Sequence, residues 1–190
     1  MARSDGGRLR ADAQRNRDKI LSTAVRVFAE RGLDVNFDVI AAEAGVGSGT
    51  LYRNFPSRGA LIEAAYRNEL ARLCESAPEL LKESPPPAAL REWMSRFLDY
   101  ASAKLGMADA LRAVIDSGGT PYSDTRRMML EAIGALLDAG RADGTVTAGV
   151  DAADLLAAIT GIALSAGKPG QREQAERLIA LTVAGLTVTR

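Results

Sequence analysis

The chain has 190 residues, 47% hydrophobic, with 24 Lys or Arg against 24 Asp or Glu and no histidine. That length holds one ordinary domain or a small domain joined to a larger one. Zero net charge excludes a polycation that binds nucleic acid by bulk attraction, and the missing histidine removes the commonest metal ligand and general base at neutral pH.

Residues 1–10 are rich in Gly and Arg with little to bury, and are expected to form a disordered basic arm. Its cations, with those just beyond it (Arg3, Arg8, Arg10, Arg15, Arg17), leave two readings open: a solvated tail, or contact with a DNA minor groove or phosphate. Residues 1–60 carry ten Lys or Arg against seven Asp or Glu, a weak basic skew toward this end. A helix is expected from Ala11 to Arg31, with Ile20, Ala24, Val27 and Phe28 as its buried stripe and Gly32 ending it. Asn36 suits the N-cap of a second helix, flanked by Val35 and Ile40 at the positions of a hydrophobic staple. Asp38 falls in its first turn, where the helix dipole favours a negative charge. Gly45 ends it, Val46 is expected to point inward, and Gly47 starts a third helix that turns Leu51 and Phe55 toward the core. Pro56 stops that helix and Ser57 caps a long fourth one, whose apolar face is Leu61, Ile62, Ala65, Leu70 and Leu73. Pro78 is expected to kink or end it.

Ser84-Pro85-Pro86-Pro87 is the clearest break in the chain. Proline suits a first helical turn, so a fifth helix is expected from Pro86 to Lys104, a sixth from Met107 to Ser117 and a seventh from Pro121 to Ala139. Val146 to Val150 reads as a brief extended stretch, and nothing else reads as strand. The eighth and ninth helices are expected over Ala152–Ala166 and Gln171–Val188, with Gly167-Lys-Pro-Gly170 turning them into an antiparallel hairpin.

The third helix carries the chemistry. Its apolar residues share one face, while Ser48, Gly49, Thr50, Tyr52, Arg53 and Asn54 form the rest. A short helix of this kind, held out by a partner across a glycine turn, is a device for entering the DNA major groove. Gly49 allows close backbone approach, Thr50 suits a thymine methyl or a phosphate oxygen, and Tyr52 and Arg53 suit phosphates. Arg58 follows where the fourth helix begins, a place fit for a phosphate.

Three segments, FAERG at Phe28–Gly32, IAAEAGVG at Ile40–Gly47 and GTLYRNFPSRGAL at Gly49–Leu61, resemble the tetracycline-repressor (TetR) family of one-component regulators. The likeness is close over residues 15–65 and architectural beyond. It implies an all-α fold of about nine helices: a helix-turn-helix domain over residues 11–56 joined to a larger effector-binding and dimerisation domain over 57–190. It further implies that Thr50 and Tyr52 touch DNA, that Arg58 stands where the family has a phosphate-binding cation, and that Asn36 stands at a capping position near the backbone. Two departures bear on base specificity: Ser48 occupies a position that often has a longer side chain, and Gly59 replaces a commonly acidic residue.

In the body, Trp93, Met94, Phe97, Tyr100, Met107, Leu111, Tyr122, Met129 and Ile133 are large side chains on three successive helices. They suit either plain core or the lining of a small-molecule cavity, and the resemblance implies an effector pocket among these helices. An inward Arg112 or Arg126 would mark an anionic effector. The closing hairpin presents Ala153, Ala157, Gly161 and Leu164 on one helix and Leu178, Leu181, Ala184 and Leu186 on the other. This surface either docks on its own body or pairs with a second copy as a four-helix bundle.

The expected function is a ligand-responsive transcriptional regulator, a repressor that binds a palindromic operator as a homodimer and leaves it when an effector binds. The rival is a helical small-molecule or protein-binding module without DNA readout. No nucleophile elbow, phosphate loop or metal-ligand spacing is present, so neither catalysis nor any cofactor or metal is expected. No segment reaches the roughly 18 apolar residues of a membrane span, and the lone Cys74 suits a reducing cytoplasm.

Overall fold

The computed structural model describes residues 5–32, 35–122, 124–166 and 170–188, with side chains from Gln14 onward. The described residues form nine helices: α1 (Asp5–Arg31), α2 (Phe37–Ala44), α3 (Ser48–Asn54), α4 (Arg58–Glu83), α5 (Pro86–Gly106), α6 (Ala108–Asp116), α7 (Thr125–Ala142), α8 (Ala152–Ala166) and α9 (Arg172–Leu186). They contain no strand. The expected extended stretch reduces to a single antiparallel bridge between Val146 and Thr187.

The chain divides into two compact units, residues 1–69 with 103–121, and residues 70–102 with 122–190. Helices α4 and α5 each run from one unit into the other, and α6 belongs to the first.

In the first unit, α1, α2 and α3 pack in succession. Their buried faces follow the sequence periodicity: Ile20, Ala24, Val27 and Phe28 from α1, Ile40 and Ala44 from α2, and Leu51 with Phe55 from and just after α3. Asn36 caps α2, its side-chain oxygen accepting the Asp38 amide at 3.0 Å. The turn between α2 and α3 is a Schellman motif: the Val46 amide donates to the Ala41 carbonyl and the Gly45 amide to that of Ala42. Gly45 takes φ +65° there, a left-handed setting that a Cβ penalises. Val46 is half-buried and not fully inward as expected. Ser57 caps α4 by accepting the Ala60 amide at 3.1 Å. The α6 residues Ala110, Leu111 and Val114 are buried in this unit. Gly106 lies so close to α1 that an added Cβ would stand 3.0 Å from the Ala29 Cβ.

In the second unit, α7 packs on α8 and α8 on α9, around Trp93, Met94, Ile133, Leu136, Leu137, Ile159 and Ile179. The Trp93 indole donates to the Leu73 carbonyl at 2.9 Å. Ser76 donates to the same oxygen at 2.7 Å.

Several expected boundaries move. Helix α1 begins at Asp5, so residues 5–10, read as disordered arm, are helical backbone; extension costs little once a helix is anchored downstream. The arm's Arg3 and the side chains of Arg8 and Arg10 lie outside the described residues. Pro78 neither ends nor interrupts α4, which continues to Glu83. The turn ahead of it is braced by the two donors on Leu73, which offsets the amide that proline lacks. Helix α7 begins at Thr125, four residues late, after Asp124 at φ +62°. Residues 167–169 of the expected hairpin turn lie outside the described residues.

Two predictions test the packing of α2. Gly45→Ala must hold alanine at positive φ and should lower unfolding free energy by about 1–2 kcal/mol, read by urea or thermal denaturation. The Glu43 carboxylate pairs with Arg26 at 2.5 Å and Arg31 at 2.7 Å. The Arg26 hydrogen bond, first among the causes, holds its pKa below the ordinary 4.5. A depressed folded pKa means that the pair stabilises above the unfolded value and is lost as pH falls through the folded one. Glu43→Gln should therefore melt below the wild type at neutral pH, with the gap closing in acid below about pH 4.5. A gap that is constant down to strong acid would remove the charge from the account.

Candidate nucleic-acid interface

The site is built on one short helix. Helix α3 has seven residues, with Leu51 fully buried and Phe55 buried just beyond its end. Phe55 is held from outside by the Arg17 guanidinium, 4.7 Å above its ring. Arg17, read as part of the basic arm, thus packs on the end of α3.

With Leu51 inward, the rest of α3 faces out. Gly49, Tyr52, Arg53 and Asn54 are exposed, and Ser48 and Thr50 are half-buried. Nothing lies within 4 Å of the place a Cβ would occupy at Gly49, so its freedom from a side chain serves no packing within the chain. The polar groups of this face bond to one another. Arg53 donates through Nε to the Gly49 carbonyl at 3.0 Å and through a terminal nitrogen to the Thr50 hydroxyl at 3.2 Å. Asn54 donates to the Thr50 carbonyl at 2.8 Å.

Beside this face stand two groups from neighbouring elements. Phe37, the first residue of α2, is 5% exposed, and its ring centroid lies 5.2 Å from that of Tyr52. Arg58 opens α4. One terminal nitrogen donates to the Val35 carbonyl at 2.8 Å, and its guanidinium carbon lies 5.9 Å from the Phe37 centroid. The other terminal nitrogen is buried and meets no hydrogen-bond partner among the described residues. A buried guanidinium donor left open in this way suits an external anion. The structure thus brings Ser48, Gly49, Thr50, Tyr52, Arg53, Asn54 and Arg58 onto one unit. Asn36 is engaged in capping α2.

Sequence reasoning missed Phe37 and the role of Arg17. A single aromatic at a first helical position carries no periodicity, although an aromatic beside a capping Asn and opposite a tyrosine was a usable signal. Arg17 sits among other arginines, and only the fold sets it over Phe55.

The body residues fall in both units. Met107 and Leu111 are buried in the first; Trp93, Met94, Phe97, Tyr100, Met129 and Ile133 are buried in the second. Within the second, the Trp93 and Phe97 rings lie 6.1 Å apart and those of Phe97 and Tyr100 5.8 Å apart. Tyr122 stands at the surface, as do Arg112 and Arg126. Cys74 is half-buried, and burial, with Glu131 and Glu75 nearby, pushes its thiol up to about 11. It stays protonated and unreactive near neutrality. The described residues hold no cluster of His, Cys, Asp or Glu able to bind a metal, and no described helix is long and apolar enough to cross a membrane.

On the closing hairpin, Ala157, Gly161, Leu164, Leu181 and Ala184 are exposed, and Ala153, Leu178 and Leu186 are half-buried. Leu164 and Leu181 are 75% and 69% exposed.

A short helix pinned by one apolar face, with a hydroxyl, phenol and guanidinium face turned to solvent and an open arginine beside it, defines a helix-turn-helix DNA-binding regulator. Residues 20–65 match the family described as bacterial regulatory proteins, tetR family, and residues 85–188 match the SbtR-like transcriptional regulator C-terminal domain. The chain belongs to the TetR family of transcriptional regulators. It is 61% identical to the crystal structure of the TetR transcriptional regulator SCO0520 from Streptomyces coelicolor, covering 92% of this chain and 99% of that one with a TM-score of 0.88. A TetR transcription regulatory protein from Mycobacterium vanbaalenii is 35% identical, covers 95% of this chain and 99% of its own, and has a TM-score of 0.76. An HTH-type transcriptional regulator of Staphylococcus aureus (strain USA300) is 36% identical over 63 residues, which is 33% of this chain and spans about a third (34%) of that relative's length.

Gly49→Ala isolates the outer face of α3. Alanine is a better helix former and meets open space, so stability should stay within about 0.5 kcal/mol of the wild type. A methyl wedged against an approaching duplex costs on the order of 1–3 kcal/mol, about tenfold or more in DNA affinity. Unchanged affinity in a gel-shift or anisotropy titration would place Gly49 away from the DNA.

Proposed function

We propose that the protein is a homodimeric repressor that binds a palindromic operator and releases it when a small-molecule effector binds. The observation that carries the pairing is the outer face of α8 and α9, where Leu164 and Leu181 stand largely exposed among Ala157, Gly161, Ala184 and Gly185. Small residues let helices approach closely, and a second copy of the same hairpin completes a four-helix bundle. Twofold pairing sets two α3 helices about 34–36 Å apart, or a multiple of this, so each half-site mirrors the other. Ser48, Gly49, Thr50, Tyr52, Arg53, Asn54 and Arg58 are the proposed DNA contacts, with Asn36 acting through its cap on α2.

The effector is assigned to Trp93, Met94, Phe97, Tyr100, Met107, Leu111, Met129 and Ile133, with Tyr122 at the surface end of the set. These residues are apolar or aromatic, and Arg112 and Arg126, the cations that would have marked an anionic ligand, face solvent. A mainly apolar effector fits them best. Helix α4 is continuous from Arg58 to Glu83, so a ligand that prefers one setting of α4 biases the DNA-reading end. Release requires the effector to prefer the DNA-incompetent state; equal binding to both states releases nothing. A coupling of about 1–3 kcal/mol lowers DNA affinity roughly 5–150-fold. A cytoplasmic location and the absence of catalysis accord with this role.

Selection of bound sequences from random DNA tests the reading. The expected result is a palindromic site whose two halves are separated by one helical turn or a multiple. Tyr52→Ala should then lose roughly tenfold or more in affinity for that site while sedimenting as a folded dimer, and Leu164→Glu with Leu181→Glu should sediment as a monomer. Enrichment of no sequence, or a wild-type monomer, would favour a helical binding module without DNA readout.

A further inference from the structure

We propose that Phe37 is a positioning residue for DNA binding: its ring is the platform that sets Tyr52 and Arg58 as a matched pair of phosphate contacts. The inference rests on the DNA-binding reading above and names a residue that reading does not use.

Phe37 is the first residue of α2 and is nearly fully buried, although the first turn of a helix beside a polar cap is a place where polar side chains do well. Its ring does not lie within the Leu51–Phe55 packing alone. One neighbour is the Tyr52 ring from α3, tilted by 38° at 5.2 Å between centroids. Another is the Arg58 guanidinium from α4, 5.9 Å from the centroid. Tilted aromatic pairs and guanidinium–ring contacts are both attractive, so one side chain on α2 joins the two later elements that carry phosphate-binding groups.

The consequence lies in what each partner has left. Tyr52 is 49% exposed, so its ring is anchored on one side while much of the side chain remains in solvent. Arg58 spends one terminal nitrogen on the Val35 carbonyl and keeps a second, buried one with no partner among the described residues. Val35 and Phe37 flank the capping Asn36, so the same short stretch holds the guanidinium by a hydrogen bond at one residue and by a ring at the next. A guanidinium fixed at two points loses less side-chain freedom when an anion arrives. Phosphate contacts set the register of a protein on a duplex without reading its sequence. A platform that fixes two of them therefore acts on affinity and salt dependence, and leaves base preference alone.

The experiment uses the full-length protein and the DNA site enriched from random sequence. Phe37→Leu keeps an apolar side chain in the buried position and removes the ring; Phe37→Tyr keeps the ring. Phe37→Leu is expected to weaken binding about tenfold and to flatten the slope of log affinity against log salt by about one to two units per dimer, since each lost phosphate contact removes about 0.9. The enriched sequence stays the same, and Phe37→Tyr restores both affinity and slope. In a Tyr52→Ala, Arg58→Ala background, measured at low salt, Phe37→Leu should have no further effect, because the groups it positions are gone. A folded Phe37→Leu protein with wild-type affinity and slope overturns the platform, as does an equal loss in the double-alanine background, which would make Phe37 a general packing residue. Should Phe37→Leu fail to fold by circular dichroism, Phe37→Met serves with the same expected and overturning results. If the wild type binds no DNA, it is the DNA-binding reading that fails; if the wild type binds and the ring does not matter, only the platform fails.

Discussion

A helix of seven residues has no stability of its own in water, because nucleation costs more than so few hydrogen bonds return. Helix α3 exists because Leu51 and Phe55 are drawn into the core of the first unit, with Arg17 closing over the Phe55 ring. The rest of the domain is arranged around that requirement. Gly45 makes the reversal that brings α3 back across α2, and the Schellman hydrogen bonds satisfy the end of α2 while it does so. Ser57 restarts the chain immediately after Pro56. Fixing the buried face of so short a helix also fixes its outer one, so Gly49, Tyr52, Arg53 and Asn54 face solvent as a direct consequence of the core.

Much of this was legible in the residues, because the signals are local and chemical. Asn36 caps α2, Gly45 takes positive φ and Ser57 caps α4, as their side chains predict. The features that escaped were set by partners distant in sequence. Pro78 reads as a break, yet α4 passes through it where Trp93, twenty residues on, donates into the preceding turn. Arg17 reads as one arm cation among five, and Phe55, on another helix, gives it a different place. Phe37 reads as an ordinary core aromatic until Tyr52 and Arg58 are seen on either side of it. Ends of helices escaped too: α1 starts earlier and α7 later than composition suggests, since fraying and extension there depend on a few tenths of a kcal/mol per residue.

Helix α6 offers a second lesson. By sequence it belongs with the body, as a short connector between two long helices. In the structure its buried residues Ala110, Leu111 and Val114 count with the DNA-reading unit, and the surrounding glycines show how little space separates them from it. At Gly119 an added Cβ would stand 2.5 Å from Val114, and Arg67 on α4 donates to the Thr120 carbonyl at 3.0 Å. The segment after α6 is therefore tied to the first half of α4. A body residue that contacts an effector and a head residue that contacts DNA need not lie in separate stretches of chain, and Met107 and Leu111 in the proposed effector set already belong to the head.

The outer face of α3 also limits how base sequence can be read. Ser48 and Gly49 are too short to reach far into a groove. Arg53, Thr50 and Asn54 satisfy one another through intrahelical bonds, and each such bond must open before its donor reaches a base edge. These bonds are exposed, so opening them costs little, but a side chain with an alternative partner discriminates less sharply than one with none. The firmly placed groups are those of the phosphate-facing rim, Tyr52 against Phe37 and Arg58 against Val35. A reader whose fixed contacts fall on the backbone is most sensitive to how the backbone is placed, and that placement varies with groove width and the ease of bending at each base step. The balance of rigid rim and adaptable centre thus shifts discrimination from hydrogen-bond pattern toward duplex shape, and makes the spacing of two copies as important as any single base contact.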